Sequence, residues 1–368
     1  MGHELELEGL PLLRTVITQA AVSERDVIVS GVPAEWSSTA EAIRGAGGRV
    51  IGFHAVVGAS AAEHDGLPVK DVAQCDGVDS PVVVFGGAPK KSWFTCAPPA
   101  PQSCFWTKPL NERLMRGRYS PKLLQQYASE LGEVHGALAD PLSQSTFRAL
   151  VKGRVAGDSG YFHISPYAEY EHPIVSARPG NVVLDVGAYD GDTARRYSAR
   201  VGPQGRVFAL EPSHLNYLKL SANCASEGLD NVLPLCVGGA AAPGLMRFQE
   251  GNDASSALAT EGNIQVPVTS LDRLVHLLNL PSVDVIKLDV EGAEERVLEG
   301  AWQSIQQFRP MLQVSIYHKA KDLFALPLLL MRRLEGYTYF MGHHSFYHVE
   351  SDLYCCPNER LSPYDFKS

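Results

Sequence analysis

Residues 182–191, Val-Val-Leu-Asp-Val-Gly-Ala-Tyr-Asp-Gly, constrain what this 368-residue chain can fold into more than any other stretch. An apolar run of strand length passes straight into Gly187, and Gly191 follows where helical periodicity begins. Strand, glycine turn and helix in that order open a doubly wound α/β sheet, and the glycines let backbone come close to a nucleotide-like ligand. A second apolar run, Val207-Phe-Ala-Leu, ends in Glu211, 26 residues beyond Asp185. A carboxylate at that point is placed to accept both hydroxyls of a ribose.

The turn separates two ligand classes. A dinucleotide site wants G-x-G-x-x-G with a helix N-terminus facing a pyrophosphate. Here the turn is Gly187-Ala-Tyr-Asp-Gly191-Asp192, with acids at 185, 190 and 192. Three carboxylates would repel a pyrophosphate and suit a ligand carrying an ammonium and a sulfonium, the charges of S-adenosylmethionine (SAM). The cofactor expectation is therefore SAM, held by Asp185, Gly187, Ala188, Tyr189, Asp190, Gly191, Glu211, Pro212, Val237 at the end of the third strand, and Asp289.

The α/β rhythm continues around this unit. Strands are expected at 182–187, 206–211, 232–237, 283–289 and 311–317, with helices at 191–200, 213–226, 292–306 and 322–335. Strand-like stretches at 337–341 and 352–356 read as a closing antiparallel pair. The expected fold class is α/β: a mostly parallel seven-stranded sheet with an antiparallel C-terminal hairpin. Upstream, residues 26–32, 49–54 and 81–85 read as strands, with a helix at 37–46 between the first two. They form a smaller Rossmann-like unit. Its first turn, Ser30-Gly31-Val32-Pro33, lacks a second glycine and carries a proline where an N–H would help a dinucleotide. Pro98-Pro-Ala-Pro101 breaks the pattern, and apolar residues at helical spacing follow: Leu123, Leu124, Tyr127 and Leu131, then Phe147, Leu150 and Val151. The expected division is 1–110, non-catalytic and a candidate for docking or homodimerisation; 111–172, a helical connector; and 173–368, the cofactor domain.

Composition narrows the partners. With 41 acidic against 32 basic residues the net charge is −9. That balance argues against nucleic acid and anionic membranes, which favour clustered Lys and Arg. The longest apolar run, Leu323 to Met331, is broken by Pro327 and too short for a span. The N-terminus has neither the basic nor the apolar segment of a signal peptide, and the seven cysteines show no C-x-x-C pair. Reduced, packed thiols and a cytoplasmic location are the expectation.

Four motifs in order, Leu-Asp-Val-Gly-Ala-Tyr-Asp-Gly-Asp-Thr (184–193), Phe-Ala-Leu-Glu-Pro (208–212), Ile-Lys-Leu-Asp-Val-Glu-Gly-Ala-Glu (286–294) and Ile-Tyr-His (316–318), resemble the FkbM-type methyltransferases. The likeness extends upstream to Leu138-Ala-Asp-Pro, Ser145-Thr-Phe147 and Tyr167 to Tyr170, while the N-terminal layout, with Gly66 to Asp71, resembles the small Rossmann-like domain that precedes sugar-modifying enzymes of bacterial glycan pathways. The resemblance implies a class I methyltransferase fold, SAM as cofactor and O-methylation of a small-molecule, glycan or secondary-metabolite acceptor. N-methylation, modification of a peptide, and an inactive scaffold with the same fold are the alternatives.

Methyl transfer to a hydroxyl needs orientation and a proton acceptor. Asp289 and Glu291 end the strand at 283–288, where the crevice of such a sheet opens. Asp289 is the first candidate for acceptor contact or base and Glu291 the second. For Glu291, and more so for Glu294, interaction with a helix dipole is the plainer alternative. His318 ends the next strand, where a neutral imidazole could take the proton. A divalent ion on Asp289, His318 and His343 or His344 is the weaker alternative. No close ligand spacing supports it, so no metal is expected. Asn252 to Ser256 is a polar loop able to cap an adenine or to be a plain turn. Tyr167 and Tyr170 are candidates for a lid over the cofactor.

Overall fold

The computed structural model describes residues 26–31, 37, 40–41, 43–45, 47–55, 63–71, 82–86, 104–106, 121–156, 161–249, 257–258, 264–345 and 349–362. The Pro98–Pro101 break, the polar loop 252–256 and the junction expected near residue 110 lie outside them.

In the N-terminal part, β1 (Asp26–Gly31), β2 (Arg49–Ala55), β3 (Glu63–His64), β4 (Leu67–Asp71), β5 (Val82–Gly86) and β6 (Cys104–Trp106) form one sheet in the order β3-β4-β2-β1-β5-β6. Every neighbouring pair is parallel except β3–β4. The parallel pairing of β1 and β2 is the strand–helix–strand unit expected from the sequence, and positions 37, 40, 41 and 43–45 between them are helical.

The second sheet carries the site. Its strands are β7 (Val182–Val186), β8 (Arg206–Leu210), β9 (Val232–Leu235), β14 (Val285–Leu288), β15 (Met311–Ser315), β16 (Tyr337–His343) and β17 (Ser351–Pro357), in the order β16-β17-β15-β14-β7-β8-β9. Only β17 runs against its neighbours. This is the class I methyltransferase arrangement implied by the resemblance, and the strand order reverses between β7 and β14, where doubly wound sheets open a ligand crevice. All five residues of β7 and all five of β15 are buried, as expected of strands covered on both faces.

Helices α4 (Asp192–Val201), α5 (His214–Ser226), α7 (Glu294–Glu299), α8 (Trp302–Phe308) and α9 (Asp322–Arg333) fall close to the expected positions. The helix expected over 292–306 is two helices, because Gly300 passes against another chain segment. A Cβ there would lie 2.2 Å from the Ala240 carbonyl oxygen. Alternate residues of β7 feed two apolar cores. Leu184 and Val186 join Leu288 and Val314 on one face, and Val183 joins Ala209 and Tyr197 on the other. Ahead of the sheet, α1 (Pro121–Gln126), α2 (Ala128–Ala137) and α3 (Pro141–Ala156) place Leu124, Leu131, Phe147 and Leu150 in the first of these cores. Ser143 Oγ accepts from the Met341 N–H at 2.9 Å, tying α3 to β16.

One element has no counterpart in the sequence reading. Between β9 and β14 lies a four-stranded sheet of β10 (Gly238–Gly239), β11 (Gly244–Gln249), β12 (Ala257–Leu258) and β13 (Ile264–Thr269), ordered β10-β13-β11-β12, followed by α6 (Leu271–Leu277). Its strands are short and bury one face only, so their apolar signal is weak. Cys224, Cys355 and Cys356 are buried free thiols and Cys236 is half-buried. Among the described residues no helix is long and apolar enough to cross a membrane.

Candidate active site

The crevice is built on the turn after β7. Gly187 adopts φ +83°, and a Cβ on it would stand 1.8 Å from the backbone oxygen of Asp289. The loops following β7 and β14 thus touch, and only glycine permits the contact. Gly187 and Ala188 donate to the Leu210 carbonyl at 2.9 and 3.0 Å, closing the turn onto β8. Gly191, φ +98°, starts α4 against Leu220. Tyr170, Tyr189 and Glu291 also hold positive φ, 62°, 51° and 54°, so three non-glycine residues carry backbone strain at the same crevice.

The three acids of the turn do not act alike. Asp185 is fully buried, its Oδ1 3.1 Å from Lys287 Nζ and its Oδ2 accepting from Thr193 Oγ1 at 2.6 Å. The register puts Lys287 directly opposite Asp185 on the adjacent strand. Lys287, itself buried, also donates to the Gly187 carbonyl at 2.6 Å. Asp192 is exposed and pairs with Arg195 at 2.7 Å and Arg196 at 3.1 Å. The expectation of a turn ringed by three facing carboxylates is therefore corrected. Asp185 supports the turn from beneath, Asp192 faces solvent beside two arginines, and half-buried Asp190 stands beside the turn with no ion pair among the described residues.

Glu211 ends β8 where the sequence places it. Its two carboxylate oxygens accept from the backbone N–H groups of Tyr189 and Ser213, each at 2.9 Å. Burial is the main influence on its carboxyl and pushes it up to about 7, with those N–H bonds and Lys287 opposing. Two backbone donors leave lone pairs over for a further diol. Pro212 and Val237, both half-buried, follow β8 and β9 beside it, and Pro212 packs against Gly238.

On the other wall, the ends of β14 and β15 bring the three expected catalytic residues together. His318 Nε2 lies 3.3 Å from Asp289 Oδ1 and 3.8 Å from Glu291 Oε1. Its Nδ1 lies 2.8 Å from Oε1 of Glu294, which is buried. That same oxygen accepts from the N–H groups of Val290 and Gly292 at 3.1 and 3.2 Å. Burial alone would lower the His318 pKa, but Glu294 and then Asp289 outweigh it and hold the ring well above its ordinary value. The carboxylates around the ring thus favour its protonated form, against the neutral imidazole expected from sequence. Asp289 also accepts from Tyr170 Oη at 3.0 Å and from Tyr317 Oη at 3.2 Å.

Tyr170 is not part of a lid. It is 2% exposed, its hydroxyl also meets Ser315 Oγ at 2.9 Å, and Ser315 Oγ donates to Asp352 Oδ1 at 3.1 Å. Desolvation keeps it neutral, with a pKa well above 10. Tyr167 is likewise packed, edge-on to His172 and beside His344. His343 meets Ser351 Oγ at 2.9 Å and His344 meets Tyr354 Oη at 3.0 Å, so neither joins Asp289. Among the described residues the group able to hold a metal is instead Asp289, Glu291 and His318, whose ligand atoms all lie within 4.8 Å of one another.

Three residues went unread in the sequence as site builders, Lys287, Ser315 and Asp352, and Glu294 was read mainly as a charge on a helix dipole. Lys287 lay in plain sight as a single cation inside an apolar strand, a position that burial makes costly without a partner. The others depend on which strands become neighbours.

Residues 185–341 match the family model of the methyltransferase FkbM domain, which contains the turn, Glu211 and the Asp289 cluster. The chain is 31% identical over 133 residues to the hexuronic acid methyltransferase AglP of Haloferax volcanii, covering 35% of this chain and 54% of that protein. It is 26% identical over 155 residues to the 2-O-methyltransferase NoeI of Sinorhizobium fredii, covering 36% of this chain and 62% of that one. The chain therefore spans only part of the length of both relatives. Its fold is similar to the crystal structure of methyltransferase FkbM from Methylobacillus flagellatus, with a TM-score of 0.61, 16% identity and 91% of each chain covered.

Proposed function

We propose that this chain is a SAM-dependent methyltransferase acting on a hydroxyl of a sugar or related small molecule. The observation that carries the reading is the contact of Gly187 with the Asp289 carbonyl, which makes the cofactor turn and the acid cluster two walls of one crevice. The site fits the cofactor on this chain's own residues: Glu211 retains acceptor capacity at the position of the ribose diol, and the glycine turn leaves no Cβ between backbone and ligand. Bound SAM supplies a methyl group already activated on its sulfonium.

The protein then has three tasks. Glu211 and the turn orient the donor, since an in-line displacement at carbon gains most from alignment. Asp289, held from two sides by Tyr170 and Tyr317, contacts the acceptor hydroxyl and takes its proton as the oxygen bonds to the methyl carbon. His318 holds Asp289 in place and offsets charge between it and Glu291. A sugar acceptor is favoured by the names of the two relatives.

Calorimetry with SAM and with S-adenosylhomocysteine, its demethylated product, tests the reading. Saturable binding is expected, and none up to about a millimolar would defeat it. Asp289→Asn is expected to keep product affinity within about threefold while turnover falls by at least about a hundredfold. Equal loss of both would remove Asp289 from the acceptor side.

A further inference from the structure

We propose that Asp289, Glu291 and His318 form a binding site for one divalent cation of the Mn2+ or Mg2+ class on the acceptor wall of the crevice. Two carboxylates and one imidazole converge there from two separate loops, with every ligand atom inside 4.8 Å of the others. Donors around a six-coordinate ion of this class stand roughly 3 Å apart when adjacent and roughly 4 Å when opposite. The 3.3 and 3.8 Å separations of His318 Nε2 from the two carboxylates fall within that range.

The second observation is the state of His318. Its side chain is 5% exposed and its Nε2 is aimed between the two carboxylates without an aligned hydrogen bond. The opposite ring nitrogen lies 2.8 Å from the buried carboxylate of Glu294. An ion bound there displaces the Nε2 proton, and the Glu294 carboxylate then faces the remaining Nδ1–H, the arrangement that orients metal-ligating histidines. Glu294 is itself anchored by the Val290 and Gly292 N–H groups, so its placement does not depend on an ion. The two carboxylates suit Mn2+ or Mg2+ over thiolate-preferring metals, and the imidazole favours Mn2+ of the two. Glu291 is a third exposed, leaving room on the crevice side for water or an acceptor oxygen. There the ion would polarise the hydroxyl that Asp289 faces. The inference deepens the proposed methyl transfer and rests on that reading for its purpose, though not for its geometry.

The test is titration of the chelator-stripped, full-length protein with Mn2+ alone, by calorimetry and by electron paramagnetic resonance. One saturable site per chain is expected, with a nitrogen coupling that disappears in His318→Gln. Glu291→Gln, at the most exposed of the three ligands, is expected to weaken Mn2+ at least about tenfold, and Glu294→Gln, a positioning change, by about 10- to 100-fold. S-adenosylhomocysteine affinity should stay within about threefold in Glu291→Gln, which shows that variant folded. Absence of saturable Mn2+ binding in the native protein, or binding undiminished in both Glu291→Gln and His318→Gln, overturns the site. Loss of S-adenosylhomocysteine binding in the native protein would instead defeat the methyltransferase reading and leave the cation result to stand by itself.

Discussion

Lys287 and Glu211 show how single side chains set the chemistry of this crevice. Lys287 is buried opposite Asp185 and holds both that carboxylate and the Gly187 carbonyl. Removing one partner of a buried pair strands the other charge, so Lys287→Met is expected to cost about 3–5 kcal/mol in urea unfolding. Adding Asp185→Asn should recover part of that loss, and strict additivity would show the two do not act as a pair. Glu211 makes binding depend on pH. A ribose diol donates to the ionised carboxylate, whose pKa stands at about 7 in the empty protein. S-adenosylhomocysteine should therefore bind about tenfold more weakly at pH 6 than at pH 8, and Glu211→Gln should flatten that dependence. The sign for stability is opposite. The unfolded carboxyl ionises near 4.5 and the folded one near 7, so the empty protein loses this contribution as pH rises between them.

At the scale of elements, the seven strands of the main sheet and the helices between them were legible because buried parallel strands are nearly continuous apolar runs. Tyr170 was legible as an aromatic near the site but not as a fixed one. Its role comes from Asp289 and Ser315, which lie 119 and 145 residues away. The small sheet β10–β13 stayed hidden because its strands are short and half-exposed, with β13 alternating between solvent and core. The packing of the β7 turn on the β14 loop yields the sharpest expectation for an element. Gly187→Ala must place a methyl group against the Asp289 carbonyl from a backbone that disfavours any side chain. It is expected to cost at least about 2 kcal/mol and to weaken S-adenosylhomocysteine at least about tenfold. A variant with native stability and affinity would mean the two loops are not locked together.

Across the whole molecule, the residues of the crevice all lie between Tyr170 and Asp352, and α1 to α3 bury their apolar faces in the same core. We therefore expect residues 111–368 alone to bind S-adenosylhomocysteine within about threefold of the full chain. A tenfold loss would give the N-terminal sheet a part in the cofactor site. The order of apolar runs, glycines and strand-end acids is a local property, and so the sequence by itself determined the α/β class, the turn at 187–191 and the acids at 211, 289 and 291. Which strand lies beside which is a long-range property. Only the tertiary structure decided that Asp185 pairs with Lys287, that His318 lies against buried Glu294, and that Glu291 joins Asp289 and His318 in one cluster. The physical reason is the same in each case: a carboxylate's role depends on the charge that burial sets against it, and that partner comes from a different strand or loop.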